Sequence, residues 1–183
     1  MDKQIFQVNK EKLKNFVEDD PSFIEPVRQL ELTNYTNEMK KIDPDGLIAL
    51  VKEVFDVSPD GLKESCLIFC SSKKNCENVA KLLSENLPSE FKSYKRDLKL
   101  KLFNELKEAN SNNICPTLRL SLQYGIAYHH SGLTTDERNL IETGFREGVL
   151  FLLTCTSTLA AGVNLPAKRV IIRSPYVGMV NSF

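Results

Sequence analysis

Three clusters of small and hydroxyl-bearing residues hold most of the chemistry open to this sequence. Ser71-Ser72-Lys73-Lys74 follows the apolar run Cys66-Leu67-Ile68-Phe69-Cys70. His129-His130-Ser131-Gly132 follows Ile126-Ala127-Tyr128. Thr156-Ser157-Thr158 follows the run from Val149 to Leu153, with Gly162-Val163-Asn164 shortly after it. Hydroxyls and backbone N–H groups at a helix start attract phosphate. Small residues such as Ser131, Gly132, Ala160, Ala161 and Gly162 let a backbone approach something bulky. The segment 156–164 reads equally well as a capped helix start closed by a tight turn at Gly162.

Two other constellations carry less. A histidine pair suggests metal or acid–base work, but no carboxylate cluster of suitable spacing accompanies His129 and His130. One ring is expected to face the core. The other is expected to face the loop, where it touches a phosphate or steadies the Ser131-Gly132 turn. Asp136-Glu137 looks like a metal-and-base box, yet it falls in the first turn of a helix, where acids complement the macrodipole; a catalytic role is rejected. A G-x-x-x-x-G-K-[ST] phosphate loop is missing, since none of the eight glycines precedes a lysine.

The elements that must position these clusters follow from the hydrophobic pattern. Four continuous apolar runs, 66–70, 126–128, 149–153 and 170–173, read as buried parallel strands. Helices are expected at about 75–87, at 91–109 with Phe91, Tyr94, Leu98, Leu102 and Leu106 on one stripe, and at 116–123. Thr134 with Glu137 makes a capping box for a helix through Arg146 that Gly148 ends. Lys92, Lys95, Arg96, Lys99, Lys101 and Lys107 lie mostly off that stripe and read first as a solvated basic face on the second of these helices, with contact to nucleic acid as the alternative. Asp43-Pro44 opens an earlier helix as N-cap and first residue. Ile5 to Val8 alternates like a short strand, residues 10–17 could hold a helical turn or two, and the rest to Lys41 reads as a connector. Strands alternating with helices predict a parallel α/β sheet, whose ligands sit at the carboxyl ends of the strands.

Composition narrows the class. The 183 residues suggest one domain plus extensions, and Lys plus Arg balance Asp plus Glu at 24 each. That balance argues against whole-surface nucleic-acid binding and leaves room for a local site. The five cysteines form no C-x-x-C pair, so reduced, mostly buried thiols are expected rather than a zinc site. No signal-peptide pattern opens the sequence and no apolar run suits a membrane helix, so an intracellular protein is expected.

Residues 154–171 resemble motif V of the Ski2-like superfamily 2 DNA helicases. Tyr128-His129-His130-Ser131-Gly132-Leu133 resembles the segment ahead of that motif, and residues 67–77 resemble motif IV. The resemblance covers about residues 38–177. It implies the second RecA-like lobe of an ATP-dependent DNA helicase, which faces a first lobe across an ATP cleft and lies over one DNA strand. By this resemblance Thr156 holds a DNA phosphate, with Ser71, Ser72, Lys73, His130, Ser131 and Gly132 also on the nucleic acid. Gly162 and Asn164 approach the nucleotide, and no residue here is catalytic or binds metal.

The expected fold is α/β: a RecA-like parallel sheet flanked by helices, with an irregular N-terminal extension. The expected organisation is a connector at 1–42, a helicase C-terminal domain at 43–177 and a short tail at 178–183. The family's first lobe, with its phosphate loop and Asp-Glu box, and its motif VI arginines have no counterpart in these residues, so a fragment inactive alone is expected. ATP and Mg2+ would serve the complete enzyme, with none expected for this chain alone. Partners would be single-stranded or forked DNA and the first lobe, without a membrane, in the nucleus and in DNA repair. The alternative is a non-catalytic module that binds nucleic acid or protein with the same fold.

Overall fold

A computed structural model describes residues 4–8, 24–29, 35–56, 65–156 and 165–173. The chain divides into two units, Met1–Leu50 and Val51–Phe183. In the first, β1 (Gln4–Val8) pairs antiparallel with β2 (Ile24–Gln29), with a register shift between Ile5 and Phe6. Part of the presumed connector is therefore a strand pair; residues 10–17 lie outside the described residues. Helix α1 (Asn37–Ile42) starts on a Thr36 cap and ends at Asp43.

Helix α2 (Leu47–Asp56) begins later than Asp43-Pro44 suggested. The buried Asp43 carboxylate still caps it, accepting from Leu47 N at 2.9 Å and Ile48 N at 2.7 Å across a turn in which Gly46 has φ +67. The Tyr35 hydroxyl donates to the same carboxylate at 2.6 Å. Burial and that neighbour raise the phenol's pKa.

The second unit is a four-stranded, all-parallel sheet in the order β4-β5-β3-β6. Its strands are β3 (Cys66–Phe69), β4 (Ile126–His129), β5 (Leu152–Cys155) and β6 (Arg169–Ile172). Between β3 and β4 run α3 (Lys73–Asn86), α4 (Glu90–Ser93), α5 (Arg96–Ala109) and α6 (Pro116–Gln123); α7 (Thr135–Arg146) joins β4 to β5. Every residue of β4 and β5 is buried, as parallel strands covered by helices require. Together with the flanking helices, this is the architecture of a RecA-like helicase C-terminal lobe.

Three expectations change in detail. The helix expected over 91–109 is broken at Tyr94-Lys95, where Lys95 takes φ 47 in the left-handed region. The break resets the buried stripe to Lys99, Leu102 and Leu106 and leaves Leu98 47% exposed. The third strand starts at Leu152 because Val149 N and Leu150 N both donate to Gly144 O, closing α7 before the ladder begins. The fourth is an exposed strand at the sheet's border, with Val170 55% and Ile172 64% exposed, rather than a buried one.

The core shows why the pieces hold. Phe151 meets Phe55 edge-on at 4.8 Å and Phe91 at 5.2 Å. Such pairs add about 0.5–1.5 kcal/mol beyond burial. Thr154 inside β5 donates to Cys76 O at 2.8 Å, tying α3 to the sheet without leaving a buried hydroxyl unpaired. Cys66, Cys70, Cys76 and Cys155 are buried thiols, whereas Cys115 is exposed. Burial pushes the Cys66 and Cys155 thiols up to about 12, so neither is a ready nucleophile. Among the described residues no helix is long and apolar enough to cross a membrane.

Candidate nucleic-acid interface

Parallel strands point their carboxyl ends the same way, and the register here aligns those ends. Phe69 pairs with Cys155 and with Ile172, and Cys155 pairs with His129. The ladder continues one residue further, with Cys70 N donating to Cys155 O at 2.8 Å, Thr156 N to His129 O at 3.4 Å and Arg173 N to Phe69 O at 3.1 Å. The loops that start at Cys70, His130 and Thr156 therefore leave the sheet side by side. Ser71, Ser72, Ser131, Gly132 and Thr156 share one rim. Gly162 and Asn164 lie outside the described residues.

Ser72 and Lys73 have sharper roles than a simple loop. Helix α3 begins at Lys73, and the Ser72 hydroxyl oxygen caps it by accepting from Asn75 N at 3.2 Å. Ser71 Oγ accepts from Asn75 Nδ2 at 2.8 Å. Both serines and Lys73 are exposed. Lys73 makes no ion pair within 4 Å among the described residues. Its stem passes 3.7 Å from where a Cβ on Gly132 would stand, which brings the first and second clusters together. A helix N-terminus, hydroxyls and a cation make a chemically suitable seat for phosphate.

The histidines behave differently from the one-in, one-out expectation: both are buried. His130 stacks on Tyr128 with centroids 5.2 Å apart, and its Nδ1 accepts from Gly132 N at 3.1 Å. Its Nε2 lies 3.5 Å from Glu77 Oε1. Burial keeps the imidazole below its ordinary range, although the Glu77 carboxylate pulls the other way. A neutral ring with Nδ1 unprotonated fits this arrangement, so His130 steadies the turn that presents Ser131. His129 Nε2 lies 2.9 Å from Glu142 Oε1, and Glu142 also meets Arg146 at 3.5 Å. Glu77 and Glu142 were not legible as partners; their only sequence signal is helical spacing that turns each toward the end of β4.

The Asp136-Glu137 pair is structural, as the helix start implied. Glu137 completes the capping box with Thr134, and its Oε1 accepts from Asn110 Nδ2 at 3.1 Å. Two basic residues of the presumed solvated face are engaged as well. Lys95 Nζ donates to Gly148 O at 3.0 Å, and the buried Lys99 Nζ donates to the carbonyls of Phe91, Lys92 and Gln123.

Comparison with known proteins adds the family context. Residues 91–178 match the model of the helicase conserved C-terminal domain. The chain is 52% identical over 143 residues to human "Helicase POLQ-like", covering 78% of this chain and 12% of that protein. It is 39% identical to mouse "DNA polymerase theta" over 74% of this chain and 6% of that protein. It is 36% identical to "ATP-dependent DNA helicase Hel308" of Methanocella arvoryzae over 66% of this chain and 17% of that protein. The chain thus spans a small part of the length of each relative.

Proposed function

We propose, from the premise that this chain belongs with the Ski2-like helicases and carries their C-terminal domain, that it acts as the second RecA-like lobe of an ATP-driven DNA translocase. The observation that supports this most is the shared rim, where an exposed Lys73, the Ser71 and Ser72 hydroxyls at a helix start, the Ser131-Gly132 turn and Thr156 stand together. On this reading Lys73 and the hydroxyls take phosphates of one DNA strand. Thr156 adds a further phosphate contact, and His130 holds the turn in position. These contacts track the backbone without reading bases, as a motor that moves along any sequence needs.

Gly162 and Asn164 would face a nucleotide held mainly by an opposing lobe that carries the phosphate loop. ATP with Mg2+, when bound there, supplies the energy of the stroke. Work on forked DNA during repair in the nucleus belongs to the same proposal. It draws on the likeness to proteins named as DNA helicases and a DNA polymerase.

The test joins this chain to the first lobe of a Ski2-like helicase and follows ATP hydrolysis with and without single-stranded DNA. DNA-stimulated turnover is expected from the joined protein and none from the chain alone. Thr156→Ala in the joined protein should weaken strand affinity by about fivefold, the worth of one ordinary hydrogen bond. No turnover in the joined protein would favour a binding-only module, and unchanged affinity would remove Thr156 from the interface.

A further inference from the structure

We propose that a basic pocket on the second unit, away from the rim, docks an acidic, leucine-bearing segment of a partner protein. The pocket has a volume of about 520 Å3 and is built by α4, α5 and α6. Its lining includes Lys92, Arg96, Lys99 and Arg119 and no carboxylate, with Leu100, Phe103 and Leu122 as its apolar part. Gln123, also in the lining, stands just ahead of β4. The pocket therefore lies toward the amino end of that strand, whereas the rim lies at the carboxyl ends.

Charge and shape together select the occupant. In a chain of zero formal net charge, these four cations make no ion pair among the described residues. Lys99 spends its ammonium on three backbone carbonyls, so Lys92, Arg96 and Arg119 remain at the mouth. Carboxylates would answer the two guanidiniums with bidentate hydrogen bonds. Leu100 is 56% exposed, and an aliphatic side chain seated between it and Phe103 would cover both. Single-stranded nucleic acid fits less well, because it needs open aromatic faces for its bases. Both nearby rings already carry a cation: Lys92 lies 4.9 Å from the Tyr124 centroid, and the Arg119 guanidinium lies 5.9 Å from that of Phe103.

The experiment uses the full chain and fluorescence anisotropy. The probe is a short labelled peptide alternating glutamate or aspartate with leucine, run beside its lysine-for-acid counterpart and a labelled oligothymidylate. The acidic peptide should bind and the lysine peptide should not. Arg96→Glu combined with Arg119→Glu should weaken binding by about tenfold or more. Leu100→Ser, which leaves the charges in place, should weaken it as well. Lys101→Glu on the exposed side of α5 should stay within about twofold, and circular dichroism confirms that each variant is folded. No binding of the acidic peptide, or equal binding by the double variant, overturns the proposal. So does oligothymidylate binding that the double variant abolishes, which would make the pocket a nucleic-acid surface. Self-association lost in the double variant would make a second copy the occupant and overturn it too.

Discussion

Replacing Lys99 with methionine isolates one ammonium and keeps most of the stem's apolar volume. Lys99 is 4% exposed, and its Nζ donates at 2.7, 3.1 and 2.7 Å to the carbonyls of Phe91, Lys92 and Gln123. It therefore ties the broken helix segment α4 to the end of α6. Hydrogen bonds from a charged donor contribute about 1.5–3 kcal/mol each. Burying an ammonium costs several kcal/mol in return, and that cost appears as a pKa lowered to about 8. The balance predicts a loss of about 2–4 kcal/mol for Lys99→Met, because three carbonyls lose their donor at once. In a chain of this size the melting temperature should fall by roughly 5–15 °C. Urea unfolding followed by far-UV circular dichroism measures the change, with Lys101→Met on the exposed face as control.

The pH dependence gives a second reading of the same group. Folded Lys99 releases its proton near pH 8 and the unfolded side chain near 10.5. Across that window the unfolded chain holds more protons, so the Lys99 contribution makes stability rise with pH. The methionine variant should lack that part of the rise. A loss below about 0.5 kcal/mol, no larger than that of an ordinary surface change, would show that the ammonium does not tie these elements together.

Two further outcomes follow from the rim and its neighbours. Burial holds His130 below the ordinary imidazole value of 6.5, so its contribution is complete above that value and is lost as pH falls through the lower folded one. Protonating Nδ1 removes the acceptor of Gly132 N–H. Comparing acid unfolding of the native chain and His130→Gln should show a loss of about 1 kcal/mol that the variant lacks; identical acid limbs would contradict it. Glu137→Ala removes the carboxylate that accepts from Thr134 N at 2.8 Å and from Asn110 Nδ2 at 3.1 Å. It should cost about 1–2 kcal/mol in urea, clearly more than Asp136→Ala on the exposed side of the same turn. Equal losses would mean that the box is decorative.

Much of this protein was legible before any coordinates. The buried strands end in small-residue loops because parallel strands are apolar throughout and meet ligands at their carboxyl ends. Local rules placed α6 at 116–123, the Thr134 capping box and the Gly148 stop, since each depends on residues within one helical turn. Less legible were features set by distant neighbours. The break at Tyr94-Lys95 answers to Lys95 reaching the end of α7 and Phe91 reaching Phe151, contacts that no heptad pattern contains. Sequence left a loop histidine two roles, touching a phosphate or steadying the Ser131-Gly132 turn; stacking on Tyr128 and the bond from Gly132 N give His130 the second.

By themselves, the residues determined the four strands of the parallel sheet, the Thr134 cap and the lack of a phosphate loop in this sequence, because those rest on short-range periodicity and local chemistry; β2, α1 and the break between α4 and α5 did not follow from them. Only the tertiary structure decided that Lys99 is buried, that both histidines turn inward and that three separated loops form one rim. These depend on which strands become neighbours in the sheet, and neighbour choice is settled by packing across the whole unit rather than along the chain.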